Sequence, residues 1–196
     1  MYKVNEIAGV DEVGRGSLAG PVFAAAVILN KNTDLKIIKD SKKISFKNRI
    51  LISKYIKKNS IFAISSASVE EINKVNILNA SLLAMGRALN KLNYKPKIAY
   101  IDGIFSPKNT KIKCKTFIKG DENIKCIAAA SIVAKVARDL FMINLSTVHQ
   151  NFKWEKNFGY GTKQHLFGLK KYGITKYHRR KFKPVLNVIL KNKRET

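Results

Sequence analysis

The stretch IAGVDEVGRG, at residues 7–16, places two adjacent carboxylates at the end of an apolar run. The apolar residues before Asp11 and Glu12 are typical of a buried strand. Burying a carboxylate is costly, and two adjacent carboxylates repel each other unless a cation offsets their charge. The glycines at 14 and 16 let the backbone come close to another molecule. The stretch therefore predicts a strand that carries a metal site next to a bound polar polymer.

The two carboxylates can share one site only under a geometric condition. Neighbouring residues on a regular strand point to opposite faces of the sheet. We therefore expect the chain to leave regular strand geometry at Glu12, which the glycine at position 14 makes feasible.

Composition sets broad limits on the function. The chain has 196 residues, of which 45% are hydrophobic, enough for one domain with a substantial core. Its net charge of +25, from 38 basic and 13 acidic residues, favours a nucleic acid or another polyanion as partner. Most of the basic residues are lysine, and Ile and Asn are also abundant, which is typical of an AT-rich genome. The charge alone is therefore weak support for a nucleic-acid partner.

Cysteine content and hydropathy indicate where the protein acts. Two cysteines, Cys114 and Cys126, are too few for a zinc cluster and are predicted to be reduced thiols. The N-terminus has no signal-peptide apolar core, and the longest apolar run, at 18–29, is too short to span a bilayer. We predict a cytoplasmic monomer with no membrane partner.

Hydrophobic periodicity predicts an α/β fold. Strands are predicted at 4–10, 21–29, 61–66, 97–101 and 115–118. Helices are predicted at 46–58, 68–92, 127–145, 163–172 and 184–190, the second opening with the capping box Ser68-Val69-Glu70-Glu71. This order predicts a mixed five-stranded sheet flanked by helices, with a hairpin first and parallel strands later. We predict one domain over residues 1–196, in which a helical C-terminal extension from about 150 packs on the rest.

Two further acids repeat the pattern of Asp11. Asp102 follows the apolar run 98–101 and precedes a glycine, and Asp121 follows the next predicted strand. Ligand sites in α/β sheets gather beyond the carboxyl ends of the strands. Three strands that deliver carboxylates to one edge would form an oxygen-rich pocket suited to Mg²⁺ or Mn²⁺. The alternative is that these acids cap helices or make turns.

Several motifs together resemble those of ribonuclease HII. They are DEVGRG at 11–16 with LAGPV at 18–22, DSKK at 40–43, IDG at 101–103, KGD at 119–121, AAASIVAKVARD at 128–139, GYGTK at 159–163 and HRR at 178–180. They run in the family's order from residue 9 to about 185. The resemblance implies a ribonuclease-H-like fold with a helical C-terminal region.

The resemblance also implies an activity and a metal site. The activity is cleavage of the RNA strand of RNA–DNA hybrids, and nicking 5′ of single ribonucleotides in duplex DNA during ribonucleotide excision repair. By similarity, two divalent ions, Mg²⁺ or Mn²⁺, would be held by Asp11, Glu12, Asp102 and Asp121. One ion is assigned to the attacking water and the other to the leaving 3′ oxygen, which yields a 5′-phosphate and a 3′-hydroxyl.

Substrate contacts are implied at eight positions: Gly14, Arg15, Gly16, Ser41, Lys42, Lys43, Tyr160 and Lys163. The backbone of 14–16 would bind the ribose 2′-hydroxyl, which distinguishes RNA from DNA. Tyr160 would pack on the sugar that follows the ribonucleotide and would favour a deoxyribose there. The segment 41–43 would bind phosphates. The alternatives are a core tyrosine and a solvated lysine pair.

Other polar residues are given supporting or ambiguous roles. Arg138, paired with Asp139, is interpreted as a structural support of the site. His165 could face the substrate or lie on a helix surface, and His149 and His178 are predicted to have core or surface roles. Ser17 stands where bacterial members of the family usually have proline, and Glu122 adds a carboxylate next to Asp121.

Two other functions are compatible with parts of the sequence. A non-catalytic basic nucleic-acid-binding protein would explain the charge, but not four acids at strand ends that repel phosphates. Another metal-dependent nuclease on the same fold would explain the acids, but has no use for a segment that recognises the 2′-hydroxyl.

Overall fold

The computed structural model describes residues 4–38 and 45–192. Five strands are present in these ranges: β1 Ile7–Val13, β2 Val22–Leu29, β3 Ser60–Ala67, β4 Ile98–Asp102 and β5 Cys114–Phe117. The helices in the same ranges are α1 Phe46–Asn59, α2 Val69–Asn90, α3 Gly120–Asn123, α4 Lys125–Ser146, α5 Trp154–Asn157, α6 Lys163–Tyr172 and α7 Lys183–Asn192. Short 3-10 helices occur at Val4–Glu6 and Gln150–Phe152.

The sheet is mixed, as predicted. Its strand order is β3-β2-β1-β4-β5, with β1 antiparallel to β2 and parallel to β4, and β4 parallel to β5. The parallel register of β1 and β4 runs from Ile7 opposite Ile98 to Val10 opposite Ile101. The next residues on these two strands are Asp11 and Asp102, so the register itself brings two predicted site residues together.

Two predictions about β1 were wrong. Its first predicted residues form the 3-10 helix Val4–Glu6, so the strand begins at Ile7. The chain also does not leave strand geometry at Glu12, because antiparallel pairing with β2 continues to Val13 opposite Phe23. The charge of Glu12 nevertheless raises the pKa of Asp11, so the two carboxylates interact without that departure. The short helix α3 was not predicted, and α4 begins two residues before its predicted start.

The predicted capping box at the start of α2 is confirmed. The Ser68 backbone N–H donates to Glu71 Oε2 at 2.8 Å, and the Glu71 N–H donates to Ser68 Oγ at 3.2 Å. These reciprocal bonds satisfy two donors that the helix backbone cannot satisfy internally. The helix contains one kink, at Asn76, where φ is +70°.

The chain divides into two compact units. The sheet unit comprises the described residues of Met1–Val13, Phe23–Ser66 and Ser81–Ala137. Its core is formed by small and branched residues of β2, α1, α4 and the segment before α1: Ala25, Val27, Leu29, Ile38, Ile56, Ala128, Ala129, Ala130, Ile132, Val133 and Ala134. Gly9 of β1 lies against the first turn of α4, where a β-carbon would be 2.0 Å from the carbonyl carbon of Cys126.

The helical unit comprises the described residues of Gly14–Val22, Ala67–Ala80 and Arg138–Thr196. One cluster of its core contains Ala19, Met142, Phe152 and Trp154, and another contains Leu18, Leu169 and Val185. The segment 14–22 belongs to this unit although it is far in sequence from the rest. The single domain with an extension from about 150 stays a prediction. Among the described helices, none has the length and hydrophobicity needed to cross a membrane.

Candidate active site

Asp11 is a buried carboxylate surrounded by other acids. Its side chain is 5% exposed, and its Oδ1 accepts the backbone N–H of Glu12 at 2.7 Å. Burial raises the pKa of Asp11 well above its usual value, and the charges of Glu12 and Asp102 raise it further. Hydrogen bonds to Ser131 and to the Glu12 backbone lower the pKa of Asp11 and only partly offset that increase. The sheet unit therefore concentrates negative charge around Asp11.

Asp102 is tied to the backbone that carries Asp121. Its Oδ1 accepts the N–H of Gly120 at 2.7 Å and the N–H of Asp121 at 3.4 Å. A β-carbon at position 120 would lie 2.6 Å from Ile127 Cδ1 and 3.3 Å from Asp102 Oδ1, so only glycine fits there without displacement. Asp121 itself is buried. The glycine that precedes Asp121 thus lets its backbone approach Asp102.

The four predicted metal ligands lie in one unit but are not arranged as a metal cluster. Charge interactions connect Asp11 with Glu12 and Asp102, and hydrogen bonds connect Asp102 with Asp121. Within residues 4–38 and 45–192, no three His, Cys, Asp or Glu side chains are grouped so that they could hold a metal ion. The donor chemistry nevertheless fits a hard divalent cation, because all four are carboxylates and Asp11 is repelled by two of them. Their role as ligands stays a prediction.

The predicted substrate-binding segment 14–16 begins the helical unit. Gly14 is buried with φ +93°, and a β-carbon there would lie 2.1 Å from Arg138 Nε. Gly16 is exposed, and a β-carbon there would meet no atom of residues 4–38 and 45–192 within 4 Å. Arg15 is exposed, and its carbonyl accepts Arg179 Nη1 at 2.8 Å. The space beside the Gly14 α-carbon is therefore occupied by Arg138, whereas the backbone at Gly16 is open.

Tyr160 and Lys163 lie near the start of α6, also in the helical unit. Tyr160 is half-buried, with the guanidinium carbon of Arg138 5.6 Å from its ring centroid. Its carbonyl pairs with His165 Nδ1 at 2.9 Å. Lys163 is the exposed first residue of α6, which Thr162 caps by accepting the His165 N–H. Ser41, Lys42 and Lys43 lie outside the described residues.

The surface alternative for His165 was wrong. Its side chain is fully buried, and its Nε2 accepts Trp154 Nε1–H at 3.1 Å and contacts His178 Nε2 at 3.1 Å. The reason is the buried face of α6, which consists of His165, Gly168 and Leu169 at helical spacing. That spacing is visible in the sequence and could have identified His165 as a core residue.

Arg138 supports the backbone of the helical unit. It is fully buried and donates to the carbonyls of Pro21 at 3.0 Å and Phe158 at 2.9 Å. Burial lowers the pKa of Arg138, and electrostatic interactions with Tyr160 and Asp139 oppose that decrease. The pairing of Arg138 with Asp139 stays a prediction. Sequence reasoning missed the comparable role of Arg179, and it missed the hydrogen bond of Ser131 to Asp11.

Comparisons with known proteins establish the family. The family model for ribonuclease HII matches residues 8–185, nearly the whole chain. The chain belongs to the ribonuclease HII family. Ribonuclease HII of Pelagibacter ubique is 55% identical over 93% of this chain and 98% of its own length, and that of Roseobacter denitrificans is 44% identical over 95% and 94%. Membership of this family makes the chain an endoribonuclease of the ribonuclease H type.

Solved structures confirm the fold. Ribonuclease H2 from Pyrococcus horikoshii superposes with a TM-score of 0.79 at 23% identity, covering 95% of this chain and 98% of its own. Ribonuclease HII in the PCNA complex from Archaeoglobus fulgidus gives 0.74 at 28%, covering 93% and 96%. Bst-RNase HIII in complex with Mn²⁺ gives 0.74 at 19%, covering 96% of this chain and 70% of its own. The predicted ribonuclease-H-like sheet is therefore confirmed.

Proposed function

We propose that this protein hydrolyses the RNA strand of RNA–DNA hybrids and nicks duplex DNA on the 5′ side of single ribonucleotides, leaving a 5′-phosphate and a 3′-hydroxyl. The observation that supports this most directly is the register of β1 and β4, which places Asp11 next to Asp102 beyond their last paired residues. Two repelling carboxylates at the end of a buried sheet are unfavourable without a cation. The site is thus suited to bind positive charge next to a phosphodiester.

Asp11, Glu12, Asp102 and Asp121 would hold two divalent ions, Mg²⁺ or Mn²⁺. When bound, such ions lower the pKa of an attacking water and offset the charge that develops on the leaving 3′ oxygen. The protein's own contribution is to fix the carboxylates. Ser131 and the Glu12 N–H hold Asp11, and the N–H groups of Gly120 and Asp121 hold Asp102. All four groups are hydrogen-bond donors, and a donated hydrogen bond favours the charged form of a carboxylate over its protonated form.

Substrate recognition is assigned to the helical unit and to the lysines. The exposed backbone of 15 and 16 would contact the 2′-hydroxyl, since a β-carbon would meet open space at Gly16. Tyr160 would pack on the sugar that follows the ribonucleotide. Gly14 would let the segment 14–16 pack closely against Arg138. Lys163, with Ser41, Lys42 and Lys43, would neutralise phosphates of the duplex without reading base sequence. We propose that the protein works as a monomer in the cytoplasm.

A cleavage assay with three duplexes tests this function. The duplexes share one sequence and are an RNA–DNA hybrid, a DNA duplex with one ribonucleotide and an all-DNA duplex. With Mg²⁺ or Mn²⁺ we expect cuts in the first, a single nick 5′ of the ribonucleotide in the second and no cut in the third. Cleavage of the all-DNA duplex would point to a nuclease indifferent to the 2′-hydroxyl. Binding of all three by folded protein, with no cleavage in either ion, would contradict the enzymatic function.

A further inference from the structure

Two buried arginines hold the segment 14–21 by its carbonyl oxygens. Arg138 Nε donates to Pro21 at 3.0 Å and Nη2 donates to Ala19 at 3.1 Å. Arg179 Nε donates to Gly20 at 3.0 Å and Nη1 donates to Arg15 at 2.8 Å. Four carbonyls of one loop are thus fixed by two guanidinium groups, whose planar donor arrays restrict direction as well as distance.

Ser17 connects the same segment to Arg138. Its hydroxyl donates to the Gly14 carbonyl at 2.8 Å and accepts Arg138 Nη2 at 2.6 Å. A proline at position 17 would have no side-chain oxygen for either bond. In this chain the Ser17 hydroxyl therefore bridges Arg138 and the Gly14 carbonyl.

Burying these two arginines lowers the stability of the fold, so stability alone does not explain their position. Both side chains are fully buried, and burial together with the neighbouring charge of Arg138 lowers the pKa of Arg179 to about 9. Arg179 is therefore still cationic at neutral pH, and its burial next to Arg138 costs free energy through desolvation and repulsion. Nη2 of Arg179 is buried without a hydrogen-bond partner among the described residues. Burial of an unsatisfied donor adds a further cost.

The arrangement leaves one open position. Gly14 is filled by Arg138, and the N–H groups of Leu18 and Ala19 donate to the Gly159 carbonyl at 2.7 and 3.3 Å. At Gly16, by contrast, the chain is exposed, and none of the described residues lies within 4 Å of a β-carbon position. The carbonyls on both sides of the turn are fixed, and its tip faces open space.

We propose that Arg138, Arg179 and Ser17 are positioning residues that hold the backbone at Gly16 in the orientation that recognises a ribose 2′-hydroxyl. The inference rests on the proposed function and adds to it which side chains set ribonucleotide selectivity. None of the three contacts the substrate. They act by holding the loop in one conformation before the substrate binds. Binding then carries no additional entropic cost of ordering the loop.

The readout is a ratio of binding constants that does not require catalysis. In EDTA, where no strand is cut, fluorescence anisotropy gives Kd for an all-DNA duplex and for the same duplex with one ribonucleotide. The selectivity ratio is Kd for the first divided by Kd for the second. A variant that only lowers the folded fraction weakens both apparent affinities equally and leaves this ratio unchanged.

The variants are Ser17→Ala, which removes one hydroxyl, and Arg179→Lys, which keeps the charge but loses the forked donor array. Arg180→Lys is the matched control, because Arg180 is the adjacent arginine and is exposed. We expect the ratio to fall about threefold to tenfold in the two test variants, the value of one or two hydrogen bonds, and to stay at the wild-type value in the control.

The possible outcomes separate this inference from the proposed function. If wild type shows a ratio near one and cuts no ribonucleotide-containing duplex, the proposed function is wrong. If wild type discriminates but folded Ser17→Ala and Arg179→Lys keep its ratio, the positioning role is wrong. Should Arg179→Lys fail to fold, Ser17→Ala alone decides, since it removes no charge and little volume.

Discussion

The α-carbon of Gly14 packs against the guanidinium of Arg138. A β-carbon at position 14 would lie 2.1 Å from Nε and 2.7 Å from Cζ of that buried side chain, and φ at Gly14 is +93°. Gly16, two residues later, has no such neighbour. The two glycines of the same short motif therefore meet different requirements, the first set by the fold and the second by an open surface.

Alanine substitutions should separate these requirements. Gly14→Ala is expected to lower the free energy of unfolding by about 2–4 kcal/mol, because it overpacks Arg138 and strains a left-handed backbone. Gly16→Ala is expected to change it by less than about 1 kcal/mol but to reduce cleavage of ribonucleotide-containing duplexes by about tenfold or more, since the methyl group blocks backbone approach. Urea unfolding and initial rates measure the two effects. Equal stability losses would contradict this division of roles.

Removing the charge of Asp11 should separate catalysis from binding. Asp11→Asn keeps the shape of the side chain but loses a carboxylate, so cleavage is expected to fall about a thousandfold or more while affinity for an all-DNA duplex is maintained. In EDTA at pH 8 the variant is expected to melt at a higher temperature than wild type, because the charges of Glu12 and Asp102 no longer repel a buried anion.

The control for Asp11→Asn is Asp34→Asn, which removes the same charge from an exposed residue. Within the described part of the chain, the Asp34 side chain accepts the local N–H of Lys36 at 2.9 Å. The Asp34→Asn variant should have the cleavage rate and the melting temperature of wild type. Wild-type cleavage rates in Asp11→Asn would contradict the predicted metal role.

Tyr160 should select the sugar that follows the ribonucleotide. Wild type is expected to nick a duplex with one ribonucleotide faster than a duplex in which the next residue is also a ribonucleotide, because a second 2′-hydroxyl crowds the ring. Tyr160→Phe keeps the ring and should keep this preference, whereas Tyr160→Ala should reduce it by about threefold or more. Competition between the two duplexes in one reaction measures the preference. Its persistence in folded Tyr160→Ala would exclude this role.

The sequence predicted those parts of the molecule that depend on local pattern. The strand β4, which ends in Asp102, is visible because an apolar run stops at an acid before a glycine, and the capping box of α2 lies within four residues. Asp121 follows the strand β5 but lies in the short helix α3, which has no clear pattern in the sequence. The contact of Ser17 with Arg138 joins residues 121 positions apart, and no local pattern encodes it. The strand geometry at Glu12 also depends on pairing with β2, which outweighs the freedom that a following glycine gives.

The hydrogen bonds of the buried histidine pair assign its protons. Trp154 Nε1–H donates to His165 Nε2, so this nitrogen carries no proton and His165 Nδ1–H donates to the Tyr160 carbonyl. The Thr175 N–H donates to His178 Nδ1 at 2.9 Å, so the proton of His178 is on Nε2, which lies 3.1 Å from His165 Nε2 and shares that acceptor with Trp154. Both rings are therefore neutral. A second proton on either ring would point at a group that already donates a hydrogen bond to that nitrogen.

Acid should destabilise the protein through this pair. Burial lowers the pKa of His178 to about 3, against 6.5 for an ordinary histidine, and electrostatic interactions with His165 and His149 contribute to the decrease. Between these values the unfolded chain binds more protons than the folded one, so the free energy of unfolding falls as pH decreases from 6.5 to 3. His178 should contribute about 3–5 kcal/mol of that decrease. The test variant is His178→Asn, whose side-chain oxygen can still accept the Thr175 N–H. It should be less stable than wild type at pH 7 but should lose less stability on acidification. The control is His149→Gln, in which the free energy of unfolding should depend on pH almost as steeply as in wild type. Urea midpoints at several pH values in this range measure the slopes, and parallel curves for wild type and His178→Asn would show that His178 is not the acid-sensitive group.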